Sequence, residues 1–165
     1  MSSYLRPRIP GATVFFTVNL ADRGSDLLVR EVGALRTAVA VTRRERPFAI
    51  DAWVVLPDHM HCVWTLPEGD DDYENRWRVI KARFARAMPF SPRRASHARR
   101  REHGLWQRRY WEHHVRGPAD YEAHVAYCWA NPVKHGYAAA PGDWPHLSWH
   151  RDHAAGGGAG GAGAP

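Results

Sequence analysis

Between Thr13 and Leu20 every second position is apolar, so Val14, Phe16, Val18 and Leu20 share one face, as in a strand lying against a core. The period then changes. From Ser25 to Arg46, Leu28, Val32, Leu35 and Val39 recur at helical spacing, and the stretch ends in a basic turn before Pro47. Phe48 to Leu56 and His59 to Leu66 are short runs of β-favouring residues separated only by Pro57-Asp58, which predicts a tight hairpin. Next, Asp70, Asp71 and Asp72 precede Tyr73, Trp77, Ile80, Phe84 and Ala87, the signature of an acid-capped amphipathic helix. A last helix is expected from Pro118, ending at Asn131-Pro132 because a residue before proline disfavours the α region. The order β-α-β-β-α, a connection and a further helix predicts an α+β fold. Its form is a ferredoxin-like, antiparallel-dominated sheet with flanking helices.

The chain has 165 residues, enough for one domain with a real core. Residues 1–153 are read as that domain. The Gly/Ala-rich segment 154–165 is read as a flexible tail. The sequence offers no membrane-spanning run and no secretory signal, which predicts a cytoplasmic protein. Cys62 and Cys128 sit in apolar surroundings without a C-x-x-C pair, so reduced thiols are expected. A net charge of +6 favours an anionic partner. Much of it is local: Ser91 to Tyr110 holds seven arginines and one acid, Glu102, in a stretch expected to be a loop.

The candidate chemistry lies in LPDHMHCVWTL, Leu56 to Leu66. Residues i and i+2 of a strand share a face, so His59 and His61 project together, opposite Met60, Cys62, Trp64 and Leu66. That spacing suits either two ligands of one metal ion or two hydrogen-bonded structural histidines. In the last helix, Tyr121, Val125, Cys128 and Trp129 form an apolar stripe, while Asp120, His124, Tyr127 and Asn131 form a polar one. Tyr127 on the polar stripe is either a nucleophile or a half-buried amphipathic side chain. Asn131, one turn on, is either a third ligand or a helix-ending residue. His124 is a candidate to support the ligands.

These stretches resemble the single-tyrosine HUH endonucleases, specifically the REP-associated tyrosine transposases. The likeness runs through GATVFFTVNLADR (11–23), PFAIDAWVVLPDHMHCVWTLPEGDDD (47–72), RWRVIKARFARA (76–87) and WQRRYWEHHVR (106–116), then HVAYCWANPVKHG (124–136) and DWPHLSWHR (143–151). It covers nearly everything except the tail and part of the arginine-rich stretch. The resemblance implies the HUH endonuclease fold, with His59 and His61 as metal ligands, Asn131 as the third and Tyr127 as nucleophile. Tyr110, Tyr121 and Tyr137 are the rival tyrosines. It also implies Mg²⁺ or Mn²⁺, although two imidazoles alone suit Zn²⁺ or Mn²⁺ better than Mg²⁺.

The implied reaction is metal-dependent cleavage and joining of single-stranded DNA beside a REP-type hairpin, through a covalent 5′-phosphotyrosine. The implied setting is the nucleoid, with no membrane and no small-molecule substrate, and the protein acting as a monomer or homodimer. Candidate phosphate contacts are Arg78, Lys81, Arg83, Arg86, Arg93, Arg94, Arg108, Arg109 and Lys134, with Trp106 and Trp111 as base-stacking candidates. Rival readings are a hairpin-DNA binder without catalysis and a metal-dependent hydrolase using water.

Overall fold

The computed structural model describes residues 4–89 and 104–156. A four-stranded antiparallel sheet runs in the order β2-β3-β1-β4, with β1 Thr13–Asn19, β2 Ala49–Val55, β3 His59–Thr65 and β4 Trp111–His114. The helices are α1 Leu27–Arg30, α2 Val32–Glu45, α3 Tyr73–Ala87, α4 Pro118–Lys134 and α5 Trp149–Gly156. This β-α-β-β-α-β order, one strand more than the sequence predicts, gives the expected ferredoxin-like arrangement. Among the described residues, no helix is long and apolar enough to cross a membrane.

Both faces of the sheet are covered. Val14, Phe16, Val18, Met60, Cys62 and Trp64 pack against Leu35 and Ala38 of α2 and Trp77, Ile80 and Phe84 of α3. Phe15, Ala52, Val54 and Val63 pack on the other side with Cys128 of α4 and Leu147. The period-two pattern therefore holds in β1, and its intervening positions find a second, smaller core. In β2 a bulge between Ile50 and Ala52 resets the alternation, so Ile50 and Trp53 reach the same face.

Four expectations are corrected. The helix expected over 25–46 is broken at Glu31, where α1 ends and its Leu28 N–H donates to Pro57 O at 3.1 Å. Strand β4 was not expected: Trp-Glu-His-His has no apolar alternation, and it pairs at the sheet edge with β1 alone. Helix α5 continues to Gly156, three residues into the segment read as a tail; 157–165 lie outside the described residues.

The fourth correction matters most. Helix α4 does not stop at Asn131-Pro132 but continues to Lys134 with Pro132 inside it. Asn131 is fully buried, and its side-chain amide donates to Tyr127 O at 3.3 Å, which holds it helical. With one turn left, the missing proline N–H costs little. The end then closes through His135 N–H to Asn131 O and Tyr137 N–H to Pro132 O, with Gly136 at φ 75°.

Candidate active site

Register between β1 and β3 sets the centre of the site: Thr17 lies opposite His61, and Asn19 opposite His59. The two imidazole rings stand 5.0 Å apart and nearly perpendicular, and both are buried. Each Nδ1 is occupied. His59 Nδ1 lies 2.7 Å from Asp58 Oδ1, whose other oxygen pairs with Arg23 Nε at 3.2 Å. His61 Nδ1 lies 2.8 Å from Thr17 Oγ1. The Asp58 carboxylate accepts from His59 Nδ1 and leaves Nε2 with its lone pair, the arrangement in which histidine binds metals; the Thr17 hydroxyl fixes the His61 ring and can accept from its Nδ1 in the same way.

Electrostatics favours that state. Burial pushes His61 down to about 3, helped by the positive potential of His59, His135, Lys134 and Arg23. Burial also lowers His59, opposed by its Asp58 partner. Both imidazoles are therefore neutral at neutral pH and able to ligate.

Helix α4 brings Tyr127 to this pair, its ring 5.2 Å from His61 and 5.8 Å from Phe15. Tyr127 is 39% exposed, beside a buried pair. The rival tyrosines are committed elsewhere. Tyr121 donates to Asp51 Oδ1 at 3.0 Å, and burial pushes it up to about 12. Tyr110 lies under the Arg6 guanidinium, with burial raising its phenol. Tyr137 stacks on His135 and Trp144 at the end of α4.

The Oδ1 of Asn131 is buried and finds no hydrogen-bond partner among the described residues. An orphaned amide oxygen one turn from Tyr127, with two oriented imidazoles, is a donor set that fits a divalent ion. The extra turn of α4 also delivers two residues that sequence reasoning gave no place at the pair. Lys134 Nζ lies 5.3 Å from the Tyr127 ring centroid, and the His135 ring lies 5.3 Å from His59. His124, expected to support the ligands, does not. It lies across the Phe15 ring, 4.8 Å away, and its Nδ1 turns to Asp120.

The basic residues divide sharply. Trp106 is buried, packed on Phe84, with its indole N–H donated to Lys81 O at 3.2 Å, and so cannot stack on bases. Lys81 turns inward to Gln107 O at 3.2 Å, and burial lowers it to about 8. Arg83 grips Glu45 through two bonds of 2.7 and 2.8 Å and also reaches Thr42 Oγ1. Arg76, on the same helix, is buried: it donates to both Asp70 oxygens and to the carbonyls of Arg46, Pro47 and Asp72. Arg78, Arg86, Arg108, Arg109 and Lys134 are exposed, as is Trp111. Arg93 and Arg94 lie outside the described residues.

No family model matches the chain. It is 49% identical over 156 residues to the REP-associated tyrosine transposase of Escherichia coli, covering 94% of this chain and 87% of that one. A Haemophilus influenzae protein named for the same family is 42% identical over 154 residues, covering 92% and 88%. The fold matches a solved structure of a REP-associated tyrosine transposase bound to a REP hairpin. The TM-score is 0.83 at 49% identity, over 94% of this chain and 87% of that one.

Proposed function

This chain belongs to the REP-associated tyrosine transposases, and from that premise we propose that it cuts and rejoins single-stranded DNA beside a REP-type hairpin, with Tyr127 as nucleophile. The observation that carries the reading is the exposed Tyr127 phenol beside two neutral imidazoles, each fixed at Nδ1.

In the proposed reaction Tyr127 Oη attacks phosphorus and gives up its proton. The bond from phosphorus to the 3′ oxygen breaks, that oxygen takes a proton, and a free 3′-hydroxyl results. The DNA 5′-phosphate is left joined to the tyrosine. The new phosphodiester keeps the energy of the broken one, so attack by another 3′-hydroxyl reverses the step and joins strands. A phenol with an ordinary pKa near 10 is a weak nucleophile at neutral pH, so the scissile phosphate must be polarised. His59, His61 and Asn131 would hold Mg²⁺ or Mn²⁺, which when bound supplies that polarisation. Lys134 meets negative charge developing on the phosphoryl group. Asp58 and Thr17 keep the ligand rings oriented, and Phe15, stacked 5.7 Å from His61, closes the dry side of the site. Arg78, Arg86, Arg108 and Arg109 supply phosphate contacts that position the DNA.

Incubation with labelled hairpin DNA carrying a single-stranded flank and Mn²⁺, followed by denaturing electrophoresis, tests this. A labelled band at the mass of protein plus DNA supports the transesterification. Cleavage without that band means that water is the nucleophile, and binding without cleavage means a hairpin-binding protein only.

A further inference from the structure

Beyond Phe15 from the histidine pair, β4 and the first turns of α4 gather a second group of donors. His113 Nε2 lies 2.8 Å from Asp120 Oδ2, and His124 Nδ1 lies 2.8 Å from the Asp120 carbonyl oxygen and 3.0 Å from Asp120 Oδ1. The two rings are stacked, 4.6 Å apart and 18° from parallel, so their nitrogens arrive side by side on one carboxylate. All three donor atoms lie within 4.8 Å of one another; ligands sharing one ion at about 2.1 Å each stand at most about 4.2 Å apart, so a small side-chain rotation brings the three onto one ion.

The scaffold is fixed on both sides. His113 is paired opposite Phe15 in the sheet, Asp120 and His124 are one helical turn apart, and the Arg116 N–H holds Asp120 Oδ2 at 2.8 Å. The three side chains are each about a quarter to a third exposed, so an ion can enter from solvent.

We propose that His113, Asp120 and His124 form a second metal site, separate from His59 and His61, that takes a divalent first-row transition ion. Two imidazoles and one carboxylate on one side of an ion leave its remaining positions to water, a donor set that favours Zn²⁺, Co²⁺ or Fe²⁺ over Mg²⁺. Binding replaces the His113 Nε2–Asp120 Oδ2 hydrogen bond and the hydrogen bond from His124 Nδ1 to the Asp120 carbonyl by metal–nitrogen bonds, each ring's proton passing to its other nitrogen. The ion would tie the edge strand to the start of α4, the helix that carries Tyr127.

The test is Co²⁺ titration of the untagged full chain in the His59→Ala/His61→Ala background, followed by the visible absorption of the bound ion and by equilibrium dialysis. One Co²⁺ per chain is expected to remain. It should be lost when either Asp120→Asn or His124→Gln is added, with circular dichroism confirming that each variant is folded. Zn²⁺ should also raise the heat-unfolding midpoint of the His59→Ala/His61→Ala chain. Absence of bound Co²⁺ in that background, or binding that survives either added substitution, overturns the proposal.

Discussion

Asp58 gives a quantitative handle on the proposed metal site, because it acts on the ion only through His59. In Asp58→Ala the 2.7 Å contact to His59 Nδ1 is lost and a buried N–H is left without its acceptor. A hydrogen bond to a charged group contributes about 1.5–3 kcal/mol. At about 1.4 kcal/mol per tenfold, that loss corresponds to roughly 10–100-fold weaker Mn²⁺ binding. Thr17→Val removes a neutral partner from His61, worth about 1 kcal/mol, or roughly fivefold. Arg23→Ala removes a half-exposed partner of Asp58, worth about 0.5 kcal/mol after solvent screening, or about twofold. Mn²⁺ titration by calorimetry should therefore rank the losses Asp58→Ala, then Thr17→Val, then Arg23→Ala. Wild-type Mn²⁺ affinity in Asp58→Ala would refute the claim that these contacts orient ligands.

Other consequences follow from the same geometry. Burial holds His61 near 3 and lowers His59, whereas both titrate near 6.5 when unfolded. The share of stability due to His61 is complete above pH 6.5 and is lost as pH falls toward 3, with that of His59 lost in the same direction, by up to about 1.4 kcal/mol per pH unit for each proton taken up on unfolding. Urea unfolding at stepped pH should show a shallower acid slope in His61→Gln; an unchanged slope contradicts the assignment. Arg76→Met breaks five hydrogen bonds around a buried guanidinium and should cost about 3–4 kcal/mol, or roughly 10 °C in midpoint. Hairpin affinity below that midpoint should stay as in the wild type, since Arg76 is not at the surface; a gel-shift titration checks this. Lys134→Ala should slow cleavage at least about tenfold under single-turnover conditions while changing hairpin binding far less. Equal losses in both would make Lys134 a binding residue only.

The sequence made the fold legible wherever burial was one-sided and periodic. Val14, Phe16, Val18 and Leu20 marked β1, and Tyr73, Trp77, Ile80 and Phe84 marked α3. Strand β4 was not legible, because an edge strand reading Trp-Glu-His-His owes its pairing to β1 and not to its own pattern. The Asn131-Pro132 stop rule failed because burial of Asn131 outweighs a local preference with only one turn left to run. That error left Lys134 as a phosphate contact beyond the helix and hid His135 altogether.

His59, His61, Tyr127 and Asn131 could be chosen from spacing and family likeness. Of the groups that hold the histidines, Asp58 is their sequence neighbour, but Thr17 is set by strand register alone. Helical spacing put His124 on the stripe with Tyr127, yet β4, which no pattern announced, draws it to His113. Charge counting likewise could not separate Arg76, Lys81 and Arg83, which hold the protein together, from Arg78 and Arg86, which face solvent.

The most direct test of the central claim identifies which tyrosine becomes joined to DNA. After reaction with hairpin DNA and Mn²⁺, the adduct is digested with nuclease and trypsin, and the modified residue is located by tandem mass spectrometry. The account predicts nucleotide mass on Tyr127 in the peptide Gly117 to Lys134, absent when Tyr127→Phe is used. Nucleotide on Tyr121, Tyr110 or Tyr137, or cleavage that persists in Tyr127→Phe, would contradict it.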